Sequence, residues 1–202
     1  MLSEVLPNIH MWRALEIELK RHLNGYLFLT KDGMVLVDPP AAAEVIIRDI
    51  EALGKPRYLL LTGARQERRA RQYQHWYGAE VYAPVGDRRM LALQAEHYYE
   101  DETKLPGGFR AIRLKHQRTP GESALLHEPS DTLVTGHLVG EPEGYVRMFS
   151  PGVYWNFSRA LEAQLTLLEY DYEQLLPGRG KPIREKARMV LAQYIAAAGS
   201  DL

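Results

Sequence analysis

The chain of 202 residues contains no cysteine, which excludes disulfides and thiolate metal sites and fits a reducing compartment. Long hydrophobic runs are missing too. No stretch approaches the roughly 18 consecutive apolar residues that cross a bilayer, and residues 1–13 have neither the basic start nor the long apolar centre of a secretory leader. A cytoplasmic protein without membrane attachment is the expectation. An excess of one charge is also lacking, since 25 Lys and Arg stand against 26 Asp and Glu for a net charge of −1. With no global basic field, nucleic acid is not an expected partner, and charge-driven binding has to be local. Internal repeats, low-complexity tracts and long linkers are absent as well. With 46% hydrophobic residues, the chain is long enough for one well-buried core and short for two, so residues 1–202 read as one domain.

What is present is a βαβ pattern. The apolar run from Tyr58 to Leu61 is too short for a helix and follows Gly54 and Pro56, so it reads as a strand covered on both faces. It stops in a polar turn, Thr62-Gly-Ala-Arg-Gln-Glu-Arg68, and from Gln66 to Tyr77 the spacing of Ala70, Tyr73 and Tyr77 predicts a helix ending at Gly78. A loop between the carboxyl end of a strand and the amino end of a helix is where α/β proteins commonly place ligands.

Upstream, residues 5–13 and 14–19 lean towards strand, and Asn24-Gly25 reads as a turn pair. The strands Tyr26–Thr30 and Met34–Asp38 are joined by Lys31-Asp-Gly33, and Ala41–Leu53 carries a helical stripe closed by Gly54. Downstream, Ala79–Ala83 reads as a strand, Gly86–Glu96 as a helix and His97–Gly108 as a polar connection. Strands follow at Phe109–Leu114, Ala124–Glu128 and Thr132–Thr135, then helices at Ser158–Leu168 and Arg184–Ala198. The aromatic stretch Tyr145–Phe157 fits packing under the following helix, a pocket lid or a contact between two copies in a homodimer. His75, His97, His116 and His127 lack ligand spacing and read as surface or internally satisfied histidines.

Four segments together carry a family resemblance. Thr62 to Arg68 resembles the T-H-x-H-x-D-H loop of the metallo-β-lactamase superfamily. Arg118-Thr-Pro-Gly-Glu-Ser123 resembles its G-H-T-P-G-x-S. Thr132-Leu-Val-Thr-Gly-His137 resembles T-L-x-T-G-D, and Leu176-Pro-Gly-Arg-Gly-Lys-Pro-Ile183 resembles L-P-G-H-G-x-P-I. Asp38-Pro39-Pro40 stands at the family's D-x-G, with a proline that stiffens the loop and removes a backbone donor. The resemblance runs from about Val5 to the last helix. It implies an α/β fold, the four-layer αββα sandwich.

The scaffold residues match and the functional ones do not. At the seven metal-ligand positions stand Gly63, Arg65, Glu67, Arg68, Arg118, His137 and Arg179, none of them the family residue. A competing register would put Glu122 in place of Arg118. Four of five histidine positions have become arginine. Guanidinium stays protonated and offers no lone pair, so it cannot ligate a metal, and Glu67 with His137 would supply two ligands at most. The resemblance therefore implies no family-type dinuclear centre and no other cofactor.

Those positions would still converge on one pocket if the fold holds, with Asp38, Gly63, Glu67 and His137 among the arginines. The pocket then carries four positive charges offset by Glu67, and a helix starting near Gln66 would add to the repulsion. Two reliefs are open. The arginines can splay into water or pair with Glu67, Asp38, Glu122 or Glu141 as a plug. Alternatively Arg65, Arg68, Arg118 and Arg179 can bind a small anion such as a phosphate, carboxylate or nucleotide, for which bidentate guanidinium forks are suited. The leading expectation is a non-catalytic or repurposed member with an anion-binding pocket. The alternatives are a hydrolase of an ester, thioester or phosphate that works without metal, with Glu67 or His137 as base, and a protein-interaction module.

Overall fold

Period-two alternation with both faces apolar organises the architecture. Tyr26 and Phe28 point to one side of their strand and Leu27 to the other; Val35 and Val37 oppose Leu36, and Tyr58 and Leu60 oppose Leu59 and Leu61. All ten are buried. A strand covered on both faces needs a layer on each side, and the chain supplies them.

The structure, a computed structural model, describes residues 1–17 and 20–200. A seven-stranded sheet runs β1 (Ser3–Leu6), β2 (Ile9–Glu16), β3 (Arg21–Thr30), β4 (Gly33–Val37), β5 (Pro56–Leu60), β6 (Glu80–Pro84) and β7 (His97–Tyr99), in chain order. Its first four strands pair antiparallel and β4 to β7 pair parallel. The second sheet orders β12 (Val146–Met148), β11 (Thr132–Gly140), β10 (Ser123–His127), β9 (Phe109–Arg113) and β8 (Lys104–Leu105), with β13 (Gln174–Gly180) parallel to β11.

The two sheets share a central core that includes Phe28, Leu60, Phe109, Leu125 and Leu176. Helices α1 (Glu44–Leu53) and α2 (Ala70–Tyr77) cover the outer face of the first sheet through Ile46, Ile50, Ala70 and Tyr73. On the second sheet, α3 (Phe157–Glu162) and α4 (Ala187–Ser200) pack Ala160, Leu161, Ala187, Leu191 and Ile195 against Leu126 and Leu133. This is the αββα sandwich. Among the described residues no helix is long and apolar enough to cross a membrane.

Several local expectations fail for identifiable reasons. Asn24-Gly25 is not a turn but lies inside β3, where Asn24 Nδ2 donates to the Pro177 and Gly180 carbonyls at 2.9 and 3.0 Å, across to the other sheet. Gly25 is there for close packing, because a Cβ would stand 2.8 Å from Trp12 Cζ2 and collide with Pro40 Cδ. The strand expected over residues 14–19 runs to Glu16; Glu18 and Leu19 lie outside the described residues.

No helix forms over Gly86–Glu96, only a 3-10 turn at Val85–Asp87. Carboxylates from elsewhere take the backbone of that segment: Glu67 accepts from the Ala92 and Leu93 amides at 2.8 Å each. The connection His97–Gly108 carries β7 and β8. The helix expected from Gln66 starts at Ala70, since Arg68 takes φ 46° and interrupts it.

Candidate functional site

Parallel pairing of β4 with β5 brings their carboxyl ends side by side, so Asp38 and Thr62 leave the sheet together. Thr62 donates to Asp38 through its amide, 2.9 Å, and its hydroxyl, 2.6 Å. Burial pushes the Asp38 carboxyl up to about 6, against Arg68 and the two Thr62 bonds, which favour its ionised form. Asp87, fully buried, fastens the loops around this point: it accepts from Ala64 N at 2.7 Å, Thr119 Oγ1 at 2.7 Å and Gly121 N at 2.6 Å.

Beside this frame lies a cavity of about 580 Å³. It is walled by Arg21, Arg65, Arg68, Arg118 and Arg179, with Gln66, Leu23, Phe149 and Val153 between them, and among the described residues no carboxylate lines it. The guanidiniums differ in what holds them. Arg68 donates to three backbone carbonyls, Asn24 at 2.5 Å, Asp38 at 2.7 Å and Gly178 at 3.4 Å, which joins β3, the β4 end and β13. Those bonds hold its left-handed backbone, a conformation non-glycine residues seldom adopt. Burial draws Arg68 below the ordinary arginine value, with Asp38 opposing.

Arg118 pairs with Glu122 at 2.5 Å and lies over the Phe149 ring, 4.4 Å from its centroid. Arg179 lies 4.1 Å from the same centroid. The two cations are therefore held within the sum of those distances. At roughly 8 Å and an effective dielectric near 20, such a pair repels by about 2 kcal/mol. Arg179 is pushed down to about 10, first by burial and then by Arg21, Arg118 and Arg68. Its Nε and that of Arg118 are buried without a hydrogen-bond partner. Arg65 is exposed at the cavity wall.

The other expected pocket residues stand elsewhere. Glu67 faces the Ala92–Leu93 turn with both oxygens bonded. His137 is fully buried and donates from Nε2 to Gln164 Oε1 at 2.8 Å, while burial holds it below its usual value. Asp38 lies behind Thr62 rather than on the cavity wall. Gly63 is buried, and its missing side chain leaves room for Gln66, whose Oε1 would sit 3.0 Å from an added Cβ. The Gln66 amide also donates to the Gly136 carbonyl at 3.0 Å. Of the expected pairings, Arg118 with Glu122 forms; Glu141 pairs with Arg147 instead.

Gln66 and Arg21 were not legible as site residues, and Phe149 was so only through the pocket-lid alternative for residues 145–157. Phe149 follows a short strand in an aromatic stretch that fits core packing equally well, and nothing local marks Gln66 or Arg21. Among the described residues, no three His, Asp, Glu or Cys side chains are grouped to hold a metal ion.

A sequence model of the metallo-beta-lactamase superfamily matches residues 1–175. The chain belongs to that superfamily. Similar solved structures within the superfamily include the DIM-1 metallo-beta-lactamase, with a TM-score of 0.76 at 17% identity over 100% of this chain and 98% of that one. A metallo-beta-lactamase from Hirschia baltica gives 0.71 at 17% identity, covering 96% and 97%. FIM-1 from Pseudomonas aeruginosa, in its mono-zinc form, gives 0.70 at 17%, covering 98% and 96%. At such identities the likeness shows the fold alone. No curated protein matches the chain in sequence.

Proposed function

We propose that this superfamily member has lost the dinuclear metal centre and uses the vacated end of the sandwich to bind a small anion rather than to hydrolyse a substrate on metal. The observation that carries this is the convergence of five arginines on one cavity whose lining, among the described residues, holds no carboxylate. The ligand positions do not fit a metal. Arginine offers no lone pair, Glu67 has both oxygens on backbone amides, His137 Nε2 is engaged by Gln164, and the Gln66 side chain occupies space beside Gly63 and Gly136. The core shared by the two sheets supports treating residues 1–202 as one domain.

Two measurements test the reading. Protein purified without chelator or metal-affinity tag is expected to contain no stoichiometric zinc, iron or manganese; one tightly held ion per chain overturns the metal-loss half. Sulfate or phosphate is expected to raise the melting temperature in a saturable way. If neither does, the anion half fails.

Metal-free hydrolysis is not favoured, since neither proposed base, Glu67 or His137, lines the cavity. An interaction role has one observation behind it: Trp155 is fully exposed, and Val153, on the cavity wall, is 49% exposed. Sedimentation of the native protein and of Trp155→Ala tests it, a homodimer that the variant breaks being the supporting result.

A further inference from the structure

Four of the five arginines divide into two groups, and the division constrains the ligand. Arg68 is committed to the fold through three backbone carbonyls, and Arg118 to Glu122. Among the described residues, the guanidiniums of Arg65 and Arg179 bond to no protein acceptor, and the Nε atoms of Arg118 and Arg179 are buried without partners against Phe149.

Resting on the anion reading above, we propose that the ligand is an organic diphosphate ester, its two phosphates spread across Arg179, Arg65 and the Arg118 face of Phe149, and its carrier lying along Leu23, Phe149 and Val153. Charge argues for more than one anionic group. Five guanidiniums offset by Glu122 beside Arg118 and by Asp38 behind Arg68 leave an excess that one carboxylate or monoester cannot balance, whereas a diphosphate brings about three negative charges at neutral pH. Placement argues the same way. Arg118 and Arg179 both lie against Phe149, 4.4 and 4.1 Å from its centroid, and Arg65 joins the same wall from another loop, so two linked phosphates engage more of these cations than one compact anion does. Volume argues for the carrier. About 580 Å³ falls in the range of roughly 300–1,000 Å³ typical of pockets for whole organic ligands, and the apolar walls offer a phosphate nothing.

Arg179 is the residue that separates ligand binding from a structural role. Its neighbours are cations and its charge is unbalanced in the empty protein. Replacing it should help the free protein and harm the complex, whereas a structural arginine would do the reverse of the first.

The test is calorimetric titration and thermal melting of the full chain with inorganic phosphate, pyrophosphate and adenosine diphosphate, using wild type and Arg179→Gln. Pyrophosphate is expected to bind at least tenfold tighter than phosphate, and adenosine diphosphate at least as tightly as pyrophosphate. Arg179→Gln is expected to weaken pyrophosphate tenfold or more while raising the melting temperature of the ligand-free protein. Equal binding of phosphate and pyrophosphate overturns the two-phosphate assignment while leaving the anion reading intact. Adenosine diphosphate binding tenfold weaker than pyrophosphate overturns the organic carrier. A lower melting temperature for Arg179→Gln, or unchanged affinity, removes Arg179 from the ligand's contacts. If all three probes fail, it is the anion reading itself that falls.

Discussion

Glu122 holds Arg118 twice, accepting its guanidinium at 2.5 Å through one carboxylate oxygen and its backbone amide at 3.1 Å through the other. The side chains are 0% and 8% exposed, so losing either partner leaves a buried group without its counter-charge. Removing one member of a buried pair costs about 3–5 kcal/mol, whereas replacing both with apolar groups is often neutral. Urea unfolding of Glu122→Gln should show a loss of that size, and Arg118→Met combined with Glu122→Leu should recover most of it. A Glu122→Gln protein as stable as wild type would show that the pair is not sealed from solvent.

Arg68 joins three segments that no other side chain connects in the same way. Charge-assisted hydrogen bonds contribute about 1.5–3 kcal/mol each, and the two shorter ones, to Asn24 and Asp38, lead. Arg68→Met is expected to lose about 3 kcal/mol or more. Arg68→Lys should not restore it, because an ammonium on a flexible stem lacks the planar fork that reaches carbonyls on β3 and β13 together. Full rescue by lysine in urea unfolding would reduce Arg68 to a point charge.

Gly136 is where strand β11 passes Gln66. A Cβ there would lie 2.6 Å from Gln66 Cγ and collide with Thr62 Oγ1. Gly136→Ala should therefore cost about 1–3 kcal/mol by overpacking. Adding Gln66→Ala should return part of that loss, since it opens the same space. Strict additivity of the two substitutions would mean that they do not share it.

Two buried groups give pH dependences of opposite sign. Asp38 is raised from 3.8 to about 6, so the folded state keeps a proton that the unfolded chain has released. Its contribution falls as pH rises through that window, by about 3 kcal/mol in total. His137 is held below its ordinary 6.5, so the unfolded chain takes up a proton first and stability falls as pH drops below 6.5. Urea midpoints between pH 4 and 8 should gain acid stability relative to pH 7 in His137→Gln and lose the Asp38 slope in Asp38→Asn. Unchanged slopes in both variants would place the titration elsewhere.

The layer architecture was legible because burial on both faces leaves a direct trace: Tyr58 to Leu61 is apolar without a break, and Gly54 and Gly78 close the flanking helices where the sequence places them. The candidate cavity was legible in part. Arg65, Arg68, Arg118 and Arg179 line one cavity although they come from distant segments, and the family motifs that frame them supplied that expectation. Asn24-Gly25 misled because the same dipeptide serves a hairpin or a crowded strand, and only Trp12 and Pro40 distinguish the two. Gly86–Glu96 misled because its helical spacing competes with the carboxylate of Glu67, remote in sequence, which takes the Ala92 and Leu93 amides.

The sequence by itself determined the central strands β3 to β6 and β9 to β11 with the helices α1 and α2, and it determined that four of the family's five histidine positions carry arginine, because residue type fixes lone pairs and charge without reference to geometry. Only the tertiary structure decided which of those cations are neutralised. Arg118 meets Glu122 and Arg68 meets three carbonyls, while Glu67 and His137 turn to Leu93 and Gln164. Hydrogen bonds and Coulomb forces act over a few ångströms, and which groups come within that reach is settled when the two sheets pack.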